Sequence, residues 1–155
     1  MNLVDELHAI VRTLREAGIP YAVCGGIAVT IHGATRTTKD IDLLVPAAEV
    51  PRILEVVRGL GYVFAALPMT FDAGTPKERH VQRVTKVSGT DHLILDLLIA
   101  EASFSGLLDG AREIALPEGP LVVVSRSALL SMKRLAGRPQ DLADLAALNG
   151  LDDAP

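Results

Sequence analysis

Apolar residues recur at helical spacing near the start of the chain, at Leu3, Leu7, Ile10, Val11, Leu14 and Ala17, and Gly18 followed by Pro20 ends the pattern. The spacing predicts an amphipathic first helix. YAVC, residues 21–24, then reads as a short buried strand, and GGIAVTIHG as a helix opened by Gly25 and Gly26 and closed near Gly33. A polar loop, ATRTTK, leads into the strand DIDLLV over residues 40–45. From about Ala47, Val50, Ile53, Leu54, Val57 and Leu60 share one side of another helix, which Gly61 ends. YVFAAL reads as a strand and PMTFDAGTPK, with its proline and glycine residues, as a loop. RHVQRVTKV alternates as a strand exposed on one side does, whereas HLILDLLIA is almost continuously apolar, the pattern of a central strand. PLVVVS predicts a further strand and SALLSMKRLA a helix; a last helix starts at Pro139 and stops before Gly150. There is no internal repeat and no low-complexity linker. The predicted class is α+β, or mixed α/β, with a small mixed sheet flanked by helices. One domain is expected over residues 1–155, an α/β core at 1–124 carrying a C-terminal helix pair at 125–150.

Composition narrows the function classes. At 155 residues and 49% hydrophobic, the chain has enough apolar material for one real core. A net charge of −4 gives no global basic field, which disfavours a general nucleic-acid or membrane-surface binder. The single cysteine, Cys24, excludes an internal disulfide framework and suits a reducing cytoplasm. The N-terminus carries acids early, unlike a signal peptide, and no apolar run is long enough to span a bilayer, so a cytoplasmic protein with no membrane partner is expected.

The chemistry concentrates on aspartates. In a strand, Asp40, Asp42 and Leu44 share one face while Ile41, Leu43 and Val45 take the other, so two carboxylates point together. Like charges so placed cost stability unless a cation lies between them. An isolated D-x-D is more often a turn cap followed by a solvated edge residue, but Asp96 adds weight to the metal reading. It lies inside HLILDLLIA, where an ionised carboxylate needs a partner. Either Asp96 forms a structural salt bridge with an arginine or lysine, or it joins Asp40 and Asp42. Three acids from two adjacent strands would make a hard-oxygen site suited to Mg²⁺.

Gly25 and Gly26 lie between a strand and a helix, where backbone N–H groups could meet a phosphate; a tight turn that only glycine can make is the plain alternative. Other phosphate and acid motifs do not fit. The chain has neither G-x-x-x-x-G-K-[ST] nor G-x-G-x-x-G, and no EF-hand loop. In haloacid-dehalogenase-like phosphatases the D-x-D follows its apolar strand, whereas here it precedes LLV.

Gly25-Gly26, thirteen intervening residues, and then Asp40-Ile41-Asp42-Leu43 resemble the signature of the DNA polymerase β-like nucleotidyltransferase superfamily. Within it, GGIAVTIHGATRTTKDIDLLV looks most like the small bacterial nucleotidyltransferases related to abortive-infection (type IV toxin–antitoxin) toxins, and MKRLAGRPQDLADL is similar to their later motif. Antibiotic nucleotidyltransferases share the glycine pair and the D-x-D. The resemblance implies a nucleotidyltransferase fold and a two-metal transfer of a nucleoside monophosphate from an NTP to an acceptor, with pyrophosphate leaving. Asp40 and Asp42 would hold the metal that carries the triphosphate, and with Asp96 a second one; Mg²⁺ is expected, with Mn²⁺ as a substitute. Asp96 would also lie closest to the acceptor oxygen as a proton acceptor. Gly25 and Gly26 would present N–H groups to the phosphates, and Lys133, Arg36 and Arg138 would bind triphosphate or pyrophosphate. The acceptor is left open between tRNA, a protein and a small molecule. A cognate antitoxin or a second copy of the chain is an expected partner, because the large accessory domain of longer relatives is lacking. The alternative is an inactive nucleotide- or metal-binding module, or a structural subunit in which Asp96 faces an arginine.

Lys133 and Arg134 could equally be solvated helix charges, and Arg36 and Lys39 could merely balance the D-x-D. His32 reads as a capping or packing residue and Cys24 as core. Arg79, Arg83 and Lys86 read as an exposed strand face, since no aromatic residues interleave to stack bases.

Overall fold

The computed structural model describes residues 1–152. Its elements run α1 (Leu3–Glu16), β1 (Ala22–Cys24), α2 (Gly25–Ile31), β2 (Ile41–Val45), α3 (Val50–Arg58), β3 (Tyr62–Ala65), β4 (Met69–Phe71), β5 (Arg79–Ser88), β6 (Asp91–Ile99), β7 (Arg112–Ile114), β8 (Leu121–Val123), α4 (Arg126–Ala136) and α5 (Pro139–Asp152). Among the described residues the eight strands form one mixed sheet in the order β3-β5-β6-β2-β1-β8-β7, with β4 pairing β5 beyond the end of β3. The predicted α+β class is the class found. β2 and β6 run parallel, as do β1 and β8, while the remaining pairs are antiparallel.

Side-chain alternation assigns the two faces. Lys86 of β5 reaches Glu6 of α1 at 2.7 Å, and Tyr62 donates to the same carboxylate at 2.8 Å. Even-numbered β5 positions therefore face α1, whose Leu7, Ile10, Val11 and Leu14 are buried. Odd-numbered positions, Arg79, Val81 and Arg83, face the other way and form a cavity wall opposite Leu129, Met132 and Lys133 of α4. The long strands are those the sequence marks most strongly: β6 is HLILDLLI plus Asp91, and Leu93, Leu95 and Leu97 are buried.

Several boundaries differ from the sequence expectation. β2 begins at Ile41, with Asp40 in the bend before it. The helix expected from Ala47 opens as a 3₁₀ turn, Ala47–Glu49, before α3. The expected loop PMTFDAGTPK contains β4, and β7 carried no recognisable signal. α5 runs through Gly150 to Asp152. Among the described residues no helix is long and apolar enough to cross a membrane.

The β1–α2 junction carries the tightest packing constraint. Gly25 has φ +64°, and a Cβ there would lie 2.0 Å from Oδ2 of Asp42 and 2.7 Å from its Cβ. A Cβ on Gly26 would meet Nη1 of Arg36 at 2.2 Å and Oγ1 of Thr38 at 2.8 Å. The glycine pair lets the backbone lie directly against Asp42 and Arg36. Gly18 is a natural control, having φ +69° with nothing within 4 Å of its added Cβ. Gly18→Ala is expected to cost ~1–2 kcal/mol from the left-handed backbone alone. Gly25→Ala should cost about 1–3 kcal/mol more, because Asp42 must move. Equal denaturant midpoints for the two variants would show that Gly25 is required only by its backbone angle.

Candidate active site

One cavity of about 500 Å³ gathers all eight residues singled out from the sequence: Gly25, Gly26, Arg36, Asp40, Asp42, Asp96, Lys133 and Arg138. They come from six places in the chain. β1 ends at Cys24 opposite Asp42, so the Gly25 turn lies beside the first residues of β2. β2 and β6 pair in parallel with Asp42 opposite Asp96, and β6 pairs β5 with Asp96 opposite Arg83. Asp42, Asp96 and Arg83 thus form one row across three strands.

Asp96 is committed within that row. Nε of Arg83 donates to Oδ1 at 2.9 Å and Nη2 to Oδ2 at 3.0 Å, a two-pronged pair that keeps both oxygens occupied. The sequence posed a salt bridge and a shared acid site as alternatives; the fold places Asp96 in both settings at once. Arg83 is accordingly a cavity residue, not the plain exposed strand face expected for it. The Asp96 bond holds its guanidinium above its ordinary pKa, and the charges of Asp40 and Asp42 add to this.

The Asp42 side chain has no hydrogen bond or ion pair with another described residue. Burial first, then the charges of Asp96 and Asp40, pushes its carboxyl up to about 7, against the weaker pull of Lys133 and Arg138. A carboxylate so placed is the donor a hard cation would relieve, and Asp40 lines the same cavity beside it. Among the described residues, however, no three His, Cys, Asp or Glu side chains are arranged as a metal-binding group, and Arg83 occupies both oxygens of Asp96. Asp40 and Asp42 are the carboxylates of the cavity that no arginine or lysine of the described residues holds, and they are the donor chemistry that would suit a divalent cation there.

A basic set of side chains, Arg36, Lys133 and Arg138, lines the same cavity. Lys133, buried on α4, sits 2.8 Å from Asp144 and 3.3 Å from Asp141. Arg138 bonds both oxygens of Asp141, at 2.7 and 3.2 Å, and its backbone N–H donates to the same side chain at 3.1 Å. Burial pushes Asp141 up, but the Arg138 bonds and the Lys133 charge outweigh it and hold its carboxyl below its ordinary range. Arg36 reaches Asp144 at 3.3 Å without an aligned hydrogen bond from its Nε. Lys133 is thus an ion-paired interior group, whereas Arg134 is the solvated helix charge expected of it. Three cations against two carboxylates give this basic set a formal charge of +1, while Asp40, Asp42 and Asp96 against Arg83 sum formally to −2 when Asp42 is ionised and to −1 when it holds its proton.

Asp144 was not singled out from the sequence, and Asp141 appeared only as the acid after a lysine and an arginine. The signal was present as two acids three residues apart on α5, on one face of the helix. Asp141 also closes the helix start, where Pro139 takes the first position and Arg138 the cap. His32 packs as expected, Nε2 lying 3.0 Å from the Val124 carbonyl. Burial, with Asp42 next, raises the Cys24 thiol well above its ordinary pKa, consistent with a core residue.

Between about pH 4 and pH 7 the native protein holds the Asp42 proton and the unfolded chain does not, so stability should fall as pH rises through that window, by on the order of a few kcal/mol. Asp141 acts oppositely, its contribution present above about pH 4 and lost below it. Without divalent cations, urea midpoints should peak in mild acid and decline toward neutrality, and Asp42→Asn should flatten that decline. Parallel wild-type and variant profiles would show that Asp42 is not the strained acid.

The family model for aminoglycoside-2''-adenylyltransferases matches residues 6–87, more than half of the chain. No curated protein sequence matches it. Among solved structures the chain is similar to the lincosamide antibiotic adenylyltransferase LnuA bound to lincomycin, with 16% identity, 94% of this chain and 95% of that chain covered and a TM-score of 0.60. It is also similar to ANT(2'')-Ia in complex with adenylyl-2''-tobramycin, with 17% identity, 94% and 86% covered and a TM-score of 0.57. A third neighbour is a proposed nucleotidyltransferase of Thermotoga maritima, with 13% identity, 97% and 93% covered and a TM-score of 0.64. At these identities the structural likeness speaks for the fold. The matched stretch contains β1, the glycine pair, both aspartates of the D-x-D and Arg83, and on that match the chain belongs to the aminoglycoside-2''-adenylyltransferase family of nucleotidyltransferases.

Proposed function

We propose that this protein transfers a nucleoside monophosphate from an NTP to the hydroxyl of a small molecule, with release of pyrophosphate. The carrying observation is one cavity that gathers the carboxylates of Asp40, Asp42 and Asp96 with the cations Arg36, Lys133 and Arg138. In the transfer the acceptor oxygen bonds to the α-phosphorus. The bond from that phosphorus to the bridging oxygen breaks, and pyrophosphate leaves with its electron pair. The basic end would receive the leaving group, with Lys133 and Arg138 exchanging part of their contact with Asp141 for phosphate oxygens. The Gly25–Gly26 backbone would lie against the phosphates because no side chain intervenes. Asp40 and Asp42 would hold a divalent cation, whose chemistry is to neutralise the triphosphate and polarise the α-phosphate. The acceptor's proton would pass to the Asp42–Asp96 row. The cavity draws on both the expected core and the C-terminal helices, so we treat residues 1–124 and 125–150 as one functional unit.

The relatives favour a small-molecule acceptor and ATP as donor: one solved neighbour carries lincomycin and another adenylyl-2''-tobramycin. A tRNA or protein acceptor, a toxin role, an antitoxin and a homodimer rest on the sequence resemblance alone. A second reading has an observation of its own. The Arg83 pair on Asp96 favours a domain that binds nucleotide and metal without transferring.

The first experiment is thermal unfolding with ATP, GTP, CTP and UTP, each with and without Mg²⁺, on the wild type and on Asp40→Asn/Asp42→Asn. A ligand at about a hundred times its Kd adds ~2.7 kcal/mol to a native state that alone binds it. We expect an ATP- and Mg²⁺-dependent rise that the double variant loses. Stabilisation by all four nucleotides without metal, and undiminished in the variant, would sink the assignment of the acids. Pyrophosphate release with a hydroxyl acceptor separates the two readings, since binding without release is the outcome of the second. Growth on expression of wild type against Asp42→Asn tests the toxin role, which equal growth would remove.

A further inference from the structure

We propose, on the basis of the nucleotidyl-transfer reading, that Asp144 of α5 is a positioning residue. Its carboxylate holds the Arg36 guanidinium beside the Gly26 backbone, and Arg36 is the member of the basic set whose donors are left for the triphosphate. A buried acid among the cations of a phosphate site needs a reason, because its charge works against the ligand. The reason lies in how unequally those cations are spent.

Arg138 gives Nε and Nη2 to Asp141 at 2.7 and 3.2 Å, and its side chain is 71% exposed. Lys133 is buried between Asp141 at 3.3 Å and Asp144 at 2.8 Å. Arg36 differs from both. Its side chain is 19% exposed, and its ion pair among the described residues is with Asp144, 3.3 Å from Nε to Oδ1. That nitrogen makes no aligned hydrogen bond, and the guanidinium donates to no other described residue. Arg36 lines the cavity, and a Cβ on Gly26 would strike its Nη1, so the guanidinium lies directly on the glycine turn. The pair with Asp144 thus fixes where the charge sits without consuming the N–H groups. A planar fork with its donors unspent matches phosphate oxygens two at a time.

The two acids of α5 divide the work. Asp141 closes the start of the helix through the Arg138 backbone N–H at 3.1 Å. Asp144 lies inside α5 and serves neither of its ends. Its Oδ1 accepts from the Gln140 side chain at 3.1 Å, which sets the rotation of the carboxylate, and its Oδ2 is buried without a hydrogen bond. Lys133 from α4 and Arg36 from the loop that runs into Asp40 converge on that carboxylate, so Asp144 ties the basic set to the chain leading into the D-x-D. Two cations at this range offset its charge toward an incoming anion, while the ordering of two long side chains before the ligand arrives spares the ligand that cost. Orientation therefore outweighs repulsion.

The test is isothermal titration of the full chain with the non-transferable α,β-methylene-ATP and with pyrophosphate, each with Mg²⁺. The variants are Asp144→Asn, Arg36→Gln, their double and Arg36→Lys, with urea midpoints as the check on folding. We expect Asp144→Asn and Arg36→Gln each to weaken both ligands at least about fivefold, although the first removes negative charge from an anion site. The double variant should fall within about twofold of the weaker single, because both changes remove one contact. Arg36→Lys keeps the charge but has one nitrogen to share between Asp144 and a phosphate, so it should bind nearly as weakly as Arg36→Gln. That comparison decides the matter even where Asp144→Asn does not fold. Asp144→Asn binding as tightly as the wild type or more tightly, single losses that multiply in the double, or Arg36→Lys matching the wild type would each overturn the positioning role. Wild type that binds neither ligand overturns the nucleotidyl-transfer reading and this inference with it; wild-type binding that the variants leave intact overturns the positioning role alone.

Discussion

Asp42 is the constraint around which the cavity is built. Parallel pairing of β2 with β6 puts its carboxylate opposite that of Asp96, and the bend before β2 adds Asp40. Three acids so close cannot all stay ionised without compensating positive charge. The fold supplies one guanidinium, Arg83, and spends it on Asp96, which leaves Asp42 raised to about 7 and without a partner among the described residues. The surrounding chain is arranged to tolerate this. Gly25 omits the side chain that would strike the Asp42 carboxylate, and the basic end supplies a distant attraction through Lys133 and Arg138. The strain is local, chemically specific, and relieved by a bound cation or by protonation.

The basic end obeys a different economy. Lys133, Asp141 and Asp144 are buried, and removing one member would strand the others in a low-dielectric setting. Their mutual pairing fixes the helix pair α4–α5 and keeps the cations in place before any anion arrives. Because the set carries one more positive charge than negative, an anion can enter without dismantling it. Preorganisation of this kind spares a ligand the cost of ordering long side chains.

Much of this was legible in the sequence where local chemistry decided it. The 3.6-residue spacing of α1, the apolar run of β6, the glycine pair and the two aspartates at the start of β2 all carry their signals within a few residues. What escaped depends on partners far apart in the chain. β4 is three residues long and owes its extended form to pairing with β5, so its turn-rich surroundings outweighed it. Asp144 is read as an ordinary helix acid until α5 folds back on Lys133. Arg83 was within reach: the turn at Gly89 and Thr90 joins β5 to β6, and counting outward from it brings Arg83 opposite Asp96. Reading RHVQRVTKV as an isolated exposed strand overlooked that pairing. The family match covers residues 6–87, which include the glycine pair and the D-x-D, even though identity to the solved neighbours is low.

The two ends differ in how easily they can be reset, and that difference gives the site a direction. The Arg83 side chain is 41% exposed and reaches into the cavity, where its hydrogen bonds go to Asp96, so it can turn toward solvent at the modest cost of a partly exposed pair. The Lys133 side chain is 7% exposed and held by two carboxylates, so withdrawing it would cost several-fold more. A cation entering at Asp40 and Asp42 would repel Arg83 and compete for Asp96, and the acid end could rearrange while the basic end kept its geometry.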